Sequence, residues 1–521
     1  MKKISIFDTT LRDGAQAEGI SFSVSDKLKI VEVLTKLGVD YIEAGNPGSN
    51  PKDLEFFKKV GDIELGSTKI VAFGSTRRKN IKAKDDANVV AMLSANTGGV
   101  AIFGKCWDLH VDKILRCSLA ENLNMIADTI GFFKAEGKEV IFDAEHFYDG
   151  YKANPEYAIK CLGAAVKAGA EWIVLCETNG GCLPNEVLQI TYNVAKELGG
   201  ARLGIHCHND SDTAVANSVI STLAGVEQIQ GTFLGYGERC GNASLASIIA
   251  NLQLKMGYEC VRPKELENLT SYAYEIAEIS NTTINRKTPF VGRSAFAHKG
   301  GMHIDGVSKL TKTFEHVPPA SVGNRRRFLM SEVSGRSLIL KKIQTIDPTL
   351  TKESHQTKQI IDLLKHKEHQ GYQYEGAEAS FKLLVLKKLG IFKPSFKLEH
   401  YKVFAQDRGS SEYNTAVIIK IQAPNGQIEF TASEGNGPVN ALDRALKKAL
   451  EVFYPKLKNV HLRDYKVRVL DPESATKAKV RVLITTTDGK SAWNTVGVST
   501  DTIEASWIAL VDSLEYKLLK R

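Results

Sequence analysis

Along the first half of the chain, short apolar runs alternate with longer amphipathic stretches. The runs are ISIFD (4–8), DYIEAG (40–45), KIVAF (69–73), VAIFG (100–104), EVIFD (139–143), WIVLC (172–176), LGIHC (203–207) and QIQGTF (228–233). Compact runs rich in Val, Ile and Phe predict strands buried on both faces. Between them, SDKLKIVEVLTKLG (25–38) and NPEYAIKCLGAAVKAGA (154–170) carry helical spacing. Asn154 is placed to cap the second helix, with Pro155 at its first position. Strands alternating with helices predict an α/β fold with a parallel sheet. Eight strands are the number that closes a TIM (β/α)8 barrel. An open doubly wound sheet is disfavoured because no GxGxxG follows an early strand.

The pattern changes near residue 260. Residues 261–390 read as a mostly helical linker, with a glycine-rich joint at HKGGMHIDG (298–306) and a Lys-rich helical run at KLLVLKKLG (382–390). From 391 to 521 it changes again. VIIKIQAPNGQIEFTAS (417–433) alternates around Asn425-Gly426, a hairpin signal, and NALDRALKKALEVF (440–453) follows as a helix. VRVLITTTDGKSAWNTVGV (480–498) and IEASWIALVDSLEYKL (503–518) repeat the arrangement. Two copies of hairpin plus helix predict an internally duplicated α+β domain. The expected domains are therefore a barrel at 1–260, a linker at 261–390 and a duplicated domain at 391–521.

Composition narrows the class. At 521 residues, with 43% apolar and 25% charged positions, the chain has room for several globular domains of ~100–200 residues each. The net charge of +8 is modest, and basic stretches such as Arg325, Arg326 and Arg327 lack the interleaved aromatics of a nucleic-acid surface. No apolar run approaches the ~20 residues of a membrane span, and MKKISIFD contains no signal-like core. The expectation is a cytoplasmic protein that binds neither nucleic acid nor membrane. Its eight cysteines form no CxxC pair and are expected to be reduced.

In a barrel, the residues available for chemistry lie at the C-terminal ends of the strands and in the loops beyond. These are Arg12 and Asp13 after the first run, Glu145 in FDAEHFYDG, Thr178 in CETNGG, His206 and His208 in GIHCHND, and Glu238, Arg239 and Asn242 in GYGERCGN. On an extended backbone His206 and His208 face the same side, and Cys207 the other, which excludes it as a ligand. With Asp13 available across the barrel mouth, the pair predicts a platform for a divalent metal. Imidazole and carboxylate without thiolate suit Mn, Mg or Zn without choosing among them. Neighbours on a strand face opposite ways. Arg12 is thus expected to point away from Asp13 and to stabilise an oxyanion or carboxylate beside the ion.

DTTLRDGAQ, GIHCHND and GYGERCGN, in this order and at this spacing, resemble the metal-dependent acyl-CoA:2-keto acid condensing enzymes. These are the 2-isopropylmalate, homocitrate and citramalate synthases, relatives of the HMG-CoA lyases. EGISFSVSDKLKI (18–30), PGSNPKD (47–53), FGSTRRK (73–79), FGKCWDLHV (103–111) and FDAEHFYDGYKANPEYA (142–158) resemble the citramalate synthase branch in particular. The C-terminal region resembles the regulatory domain that such synthases carry. The resemblance implies that Asp13, His206 and His208 ligate the metal, with Asn242 as a further amide ligand. It implies that Arg12 polarises the keto group, that Thr178 holds the keto acid carboxylate, and that Glu145 is linked to the proton chemistry. It also implies that His303, in MHIDG, is delivered by the linker of the partner subunit in a homodimer.

The implied reaction condenses pyruvate with acetyl-CoA and water to citramalate and CoA, for isoleucine biosynthesis. The base is either Glu145 or a water assisted by His303. Phe73, Phe142 and Asp143 are expected to line the keto acid pocket. Two positions depart from the family pattern: Glu177 stands where an aspartate is expected before the threonine, and Phe314, in TFEHVPP, where a tyrosine is common. The alternatives are 2-isopropylmalate or homocitrate synthesis, and a non-catalytic amino-acid sensor. The C-terminal domain is expected to bind isoleucine as an inhibitor, with SEGNGPVN (433–440), ahead of a helix, as a seat for its carboxylate.

Overall fold

The computed structural model describes residues 2–48, 50–329, 336–374, 376–406, 414–489 and 491–519. Ser49 of PGSNPKD lies outside them. Two compact units divide the chain: Met1–Phe296 with Glu315–Arg326, and Ala297–Phe314 with Arg327–Arg521.

The first unit is built on eight parallel strands: β1 (Ser5–Asp8), β2 (Tyr41–Glu43), β3 (Lys69–Ser75), β4 (Gly99–Lys105), β5 (Glu139–Glu145), β6 (Trp172–Glu177), β7 (Leu203–Cys207) and β8 (Gln228–Gly231). They close in sequence order into a barrel, with β1 paired to β8 in the register Ser5 to Gln228 through Asp8 to Gly231. The predicted TIM barrel is therefore present, and each apolar run supplies one strand.

Alternation along each strand sorts side chains between two layers. Ile6, Ile42, Ile102, Phe142, Leu175 and Ile205 pack outward against the helices. Phe7, Tyr41, Val71, Ala101, Ile141, Trp172 and Val174 fill the lumen. Two of the aromatic lumen groups are paired: the Tyr41 hydroxyl donates to Glu139 Oε1 at 2.7 Å and accepts from Trp172 Nε1 at 3.3 Å.

Local chemistry fixes the helix ends. Ser23 and Asp26 form a capping box for Val24–Leu37, and Gly38 ends it at φ +90°, a conformation glycine adopts without strain. Asn154 accepts from the Tyr157 N–H at 3.2 Å, capping Pro155–Ala168 as predicted. Among the described residues no helix is long and apolar enough to cross a membrane. All eight cysteines are free thiols, most of them buried.

The second unit holds a short parallel ladder, β9 (Ala297–His298) with β10 (Arg327–Phe328), and the helices Gly301–Lys309, Arg336–Gln344, His355–His369 and Glu378–Lys388. Two three-stranded antiparallel sheets follow. One is β11 (Lys397–Gln406), β12 (Asn414–Gln422) and β13 (Ile428–Gly435), then the helix Pro438–Glu451. The other is β14 (His461–Val469), β15 (Val480–Thr487) and β16 (Ala492–Ser499), then the helix Thr502–Leu519. Val417, Ile419 and Ile421 of β12 share one core with Val482 and Ile484 of β15 and with Leu442, Leu446 and Leu510 of the helices.

Both predicted hairpins are present, and each gains a leading strand that the pattern did not reveal. β11 and β14 lie at sheet edges and carry charge, as in KLEHYKVFAQ and HLRDYKVRV. Edge strands tolerate charge because one side meets water. Each leading strand has a register shift near its start, between Leu398 and His400 and between Leu462 and Asp464. The duplication thus extends to a shared irregularity.

In the first unit a buried ion pair ties the first helix to the helix Pro51–Lys59 that follows β2. Lys27 Nζ donates to Asp53 Oδ1 at 2.5 Å and to the Ala44 carbonyl at 2.7 Å. Gly45, at φ +141°, lets the chain pass, since a Cβ there would lie 2.3 Å from Asp53 Oδ2. Lys27→Met should strand the Asp53 charge and cost about 3–5 kcal/mol, read from the urea unfolding midpoint. Lys27→Met with Asp53→Leu should recover much of that loss. An unshifted midpoint in the single variant would show that the pair carries no net weight.

Candidate active site

The segment after β1 leaves the strand conformation at once. The Thr9 carbonyl accepts the N–H groups of Arg12, Asp13 and Gly14 at 3.2, 3.0 and 3.1 Å, so Thr9–Asp13 curls into a turn. The buried Asp8 carboxylate accepts from the Thr10 N–H at 2.8 Å and the Thr10 hydroxyl at 3.1 Å. Thr10 Oγ1 in turn accepts from the Phe233 N–H beyond β8 at 2.9 Å. Thr9 Oγ1 donates to Glu43 Oε2 at 2.5 Å. The paired threonines therefore anchor the turn.

One expectation fails here. Arg12 and Asp13 do not diverge, because they lie on a turn and not on a strand. Arg12 Nη1 is 3.4 Å from Asp13 Oδ2, and both side chains face one cavity of roughly 320 Å³.

That cavity opens at the C-terminal ends of the barrel strands. Asp13 Oδ2 lies 3.2 Å from His206 Nε2 and 3.7 Å from His208 Nε2. One donor atom from each of the three residues lies within 4.8 Å of the others, and all three side chains are buried. Donors about 2.0–2.2 Å from one ion lie about 3–3.5 Å apart in tetrahedral or octahedral geometry. The three donors are thus close enough to converge on one divalent cation. Cys207 packs outward, as expected.

Asn242 is brought alongside by a β-bridge to His208. Its Nδ2 donates to the Tyr236 carbonyl at 3.1 Å. Its buried Oδ1 has no hydrogen-bond partner among the described residues, an orphan acceptor that a cation would satisfy. A Cβ on Gly237 would sit 2.2 Å from Asn242 Nδ2, so glycine is needed for the amide to lie there.

The electrostatics suit cation binding. Burial opposes the Asp13 charge, but Arg12 and His206 outweigh it and hold the carboxyl well below its usual range. Burial, then the His206 charge, depress His208 to about 4, which keeps that ring neutral. Burial lowers and Asp13 raises His206, with a net rise. Burial works against the Arg12 guanidinium, but Glu43 and Asp13 lift it above its ordinary value. Asp143 is pushed up to about 7 by burial and by the Glu43 charge.

Around this cluster, Arg12 Nε donates to Glu43 Oε2 at 2.5 Å, and its guanidinium stacks 3.8 Å above the Phe73 ring. Phe73 stacks on Phe103 at 5.3 Å. Asp143, Glu145 and Thr178 line the same cavity. Glu145 is ion-paired with Lys105, and Thr178 Oγ1 accepts from the His146 N–H at 2.9 Å.

Other expected residues lie elsewhere. Phe142 faces the helices, one step out of phase with Asp143. Glu177 faces away from the lumen and accepts from the N–H groups of Gly181 and Cys182 at 2.9 and 3.3 Å. Its extra methylene therefore serves a loop. His303 belongs to the second unit, on the helix Gly301–Lys309, where its exposed ring stacks on Phe314 at 4.1 Å. A Cβ on Gly306 would lie 2.6 Å from the Phe314 ring, so Phe314 closes tightly onto that helix.

Glu43 and Gln230 escaped the sequence reading, whereas Arg239 is among the residues it places after the eighth strand. Glu43 is a carboxylate inside the apolar run DYIEAG. Gln230, in QIQ of β8, accepts through Oε1 from His206 Nδ1 at 3.0 Å. Arg239 donates through Nε to Asp210 Oδ1 at 2.8 Å and through Nη2 to Asp210 Oδ2 at 2.8 Å, and Nη2 also donates to the Thr178 carbonyl at 2.7 Å. It staples the loops after β6, β7 and β8. A polar residue in phase with the lumen positions of an apolar strand was the available signal for the first two.

Comparison with known proteins adds the family context. The profile described as HMGL-like matches residues 3–278. The homocitrate synthase post-HMGL domain-like profile matches 290–371, and the LeuA allosteric (dimerisation) domain profile matches 375–518. The chain is 51% identical over 519 residues to an (R)-citramalate synthase of Aquifex aeolicus, covering 100% of this chain and 98% of the relative. It is 49% identical to an (R)-citramalate synthase of Synechocystis, covering 99% and 97%. It is 30% identical to a 2-isopropylmalate synthase of Clostridium kluyveri, covering 98% and 96%.

Metal uptake tests the cluster directly. After chelator treatment, the protein should bind Mn²⁺ in a calorimetric titration, and Asp13→Ala should abolish the binding heat while leaving the circular dichroism spectrum unchanged. Equal binding by the variant would place the ion elsewhere.

Proposed function

The chain belongs to the family of (R)-citramalate synthases, and we propose that its barrel condenses pyruvate with acetyl-CoA and water to (R)-citramalate and CoA. The observation that carries this reading is the convergence of Arg12, Asp13, His206 and His208 on one cavity. Asp13, His206 and His208, joined by the Asn242 amide, hold the cation. A bound Mn, Mg or Zn ion supplies the Lewis acid that makes a 2-keto group electrophilic.

The chain's own residues do the rest. Arg12, fixed by Glu43 on one side and Phe73 on the other, donates to the keto oxygen and stabilises the charge that develops there. Its orientation is set before substrate arrives, so little reorganisation is needed. The Thr178 hydroxyl accepts from the His146 N–H, which leaves its proton free for the keto acid carboxylate. Asp143 borders the space left for the pyruvate methyl.

Glu145 is the base supported by its place on the cavity wall. It takes a methyl proton from acetyl-CoA, and the resulting enolate carbon bonds to the keto carbon. Water then cleaves the thioester, releasing the CoA thiol and making the reaction effectively one-way. His303 of the partner subunit is the second candidate for this proton transfer. The protein is read as a cytosolic homodimer serving isoleucine biosynthesis, with residues 391–521 binding isoleucine as feedback inhibitor.

Free thiol release from acetyl-CoA tests the reaction. Metal-loaded protein should release thiol with pyruvate and far less with 2-ketoisovalerate or 2-ketoglutarate. Release mainly with the branched acid would favour isopropylmalate synthesis, and none with any keto acid would leave a non-catalytic sensor. Glu145→Gln should lower kcat by about 10²–10⁴-fold, and Arg12→Ala by at least about 10²–10³-fold. Isoleucine should inhibit the full-length enzyme where leucine does not; equal effects would refute the effector assignment.

A further inference from the structure

Three side chains run in a hydrogen-bonded line across the upper lumen. His206 points inward from β7, Gln230 from β8 and Asp143 from β5, and all three are buried. His206 and Gln230 are register partners on adjacent strands. His206 Nδ1 lies 3.0 Å from Gln230 Oε1, and Gln230 Nε2 lies 3.0 Å from Asp143 Oδ1.

The line has a direction. In its ionised form the Asp143 carboxylate only accepts, whereas an amide has a donating end and an accepting end. Asp143 therefore draws the NH₂ end of Gln230 toward itself. That turns the amide oxygen to His206 Nδ1, and an oxygen there requires Nδ1 to carry the proton. The proton is then absent from Nε2 in the neutral ring, and the Nε2 lone pair faces Asp13 Oδ2 at 3.2 Å. Two lone pairs facing at that distance are relieved either by a second proton on the ring or by a metal cation that takes its place.

We propose that Asp143 and Gln230 are positioning residues that fix the tautomer of His206, and so make its Nε2 a metal ligand. This rests on the metal-site reading given above. Asp143 thus acts through Gln230 as well as bordering the substrate space. Such outer partners of ligating histidines fix ring orientation and raise ligand basicity.

The distinguishing substitution is Asp143→Asn, which scarcely changes volume. An asparagine in place of the carboxylate can donate as well as accept, so the Gln230 amide is free to reverse and to present NH₂ to Nδ1. That favours the other tautomer, whose Nε2 is protonated. Gln230→Leu removes the acceptor outright. Combining Asp143→Asn with Gln230→Glu returns an acceptor to Nδ1 and gives it a donor on its far side.

Mn²⁺ affinity of the full-length protein, measured calorimetrically, reads all of these, with circular dichroism as the check on folding. Asp143→Asn and Gln230→Leu should each weaken binding by about 10–100-fold. The double variant should bind more tightly than Asp143→Asn alone, a rescue that a merely structural role would not give. Unchanged affinity in Asp143→Asn and Gln230→Leu, or no rescue in the double variant, would overturn the inference while leaving the metal site standing. Failure of the wild-type protein to bind any divalent cation would instead sink the metal-site reading and this inference with it.

Discussion

Closure of the sheet is the constraint on which the site depends. Asp13 and His206 are almost two hundred residues apart in the chain, yet Oδ2 and Nε2 lie 3.2 Å apart. They meet because β1 pairs with β8, and β8 with β7, in a fixed register. In an open sheet the first and last strands would lie at opposite edges. Closure also confines the inward-facing side chains to a narrow lumen, whose lower part is apolar and whose upper part is charged. The charges lie on the C-terminal side, where a barrel leaves room for a ligand.

Concentrating charge in a buried space is costly unless every group has a partner. The site meets that cost by sharing. Glu43 accepts from Thr9 and Arg12 at once, and Arg12 also faces Asp13. Gln230 spans from His206 to Asp143. The acceptors left over are as telling as those satisfied: Asn242 Oδ1 is buried without a partner among the described residues, beside the histidine pair. The Asp13, His206 and His208 side chains and the orphan amide oxygen form a donor set that a divalent cation would satisfy.

The second unit shows a different economy. Each sheet-and-helix copy is too small for a substantial core of its own, and the two copies share one. The helix Glu378–Lys388 is bound to the same unit through polar contacts: the Ser380 hydroxyl donates to Asp512 Oδ2 at 2.8 Å and accepts from the Val496 N–H at 3.0 Å. Lys387 Nζ donates to Asp512 Oδ1 at 3.0 Å.

The sequence by itself determined the elements whose signal is local. Apolar runs set the eight strands, Asn154 set a helix start, and the spacing of His206 and His208 put both rings on one side. It left β11 and β14 hidden, since edge strands need no continuous apolar face. Only the tertiary structure decided that Arg12 and Asp13 face each other at 3.4 Å, because the bend after β1 is held by Thr9, Thr10 and Phe233, the last more than two hundred residues away. It alone assigned Glu43 and Gln230 to the site and Phe142 and Glu177 to the far side of their strands. The reason is physical: alternation tells which residues share a face, but which face turns inward is settled by barrel closure and by what lies across the lumen.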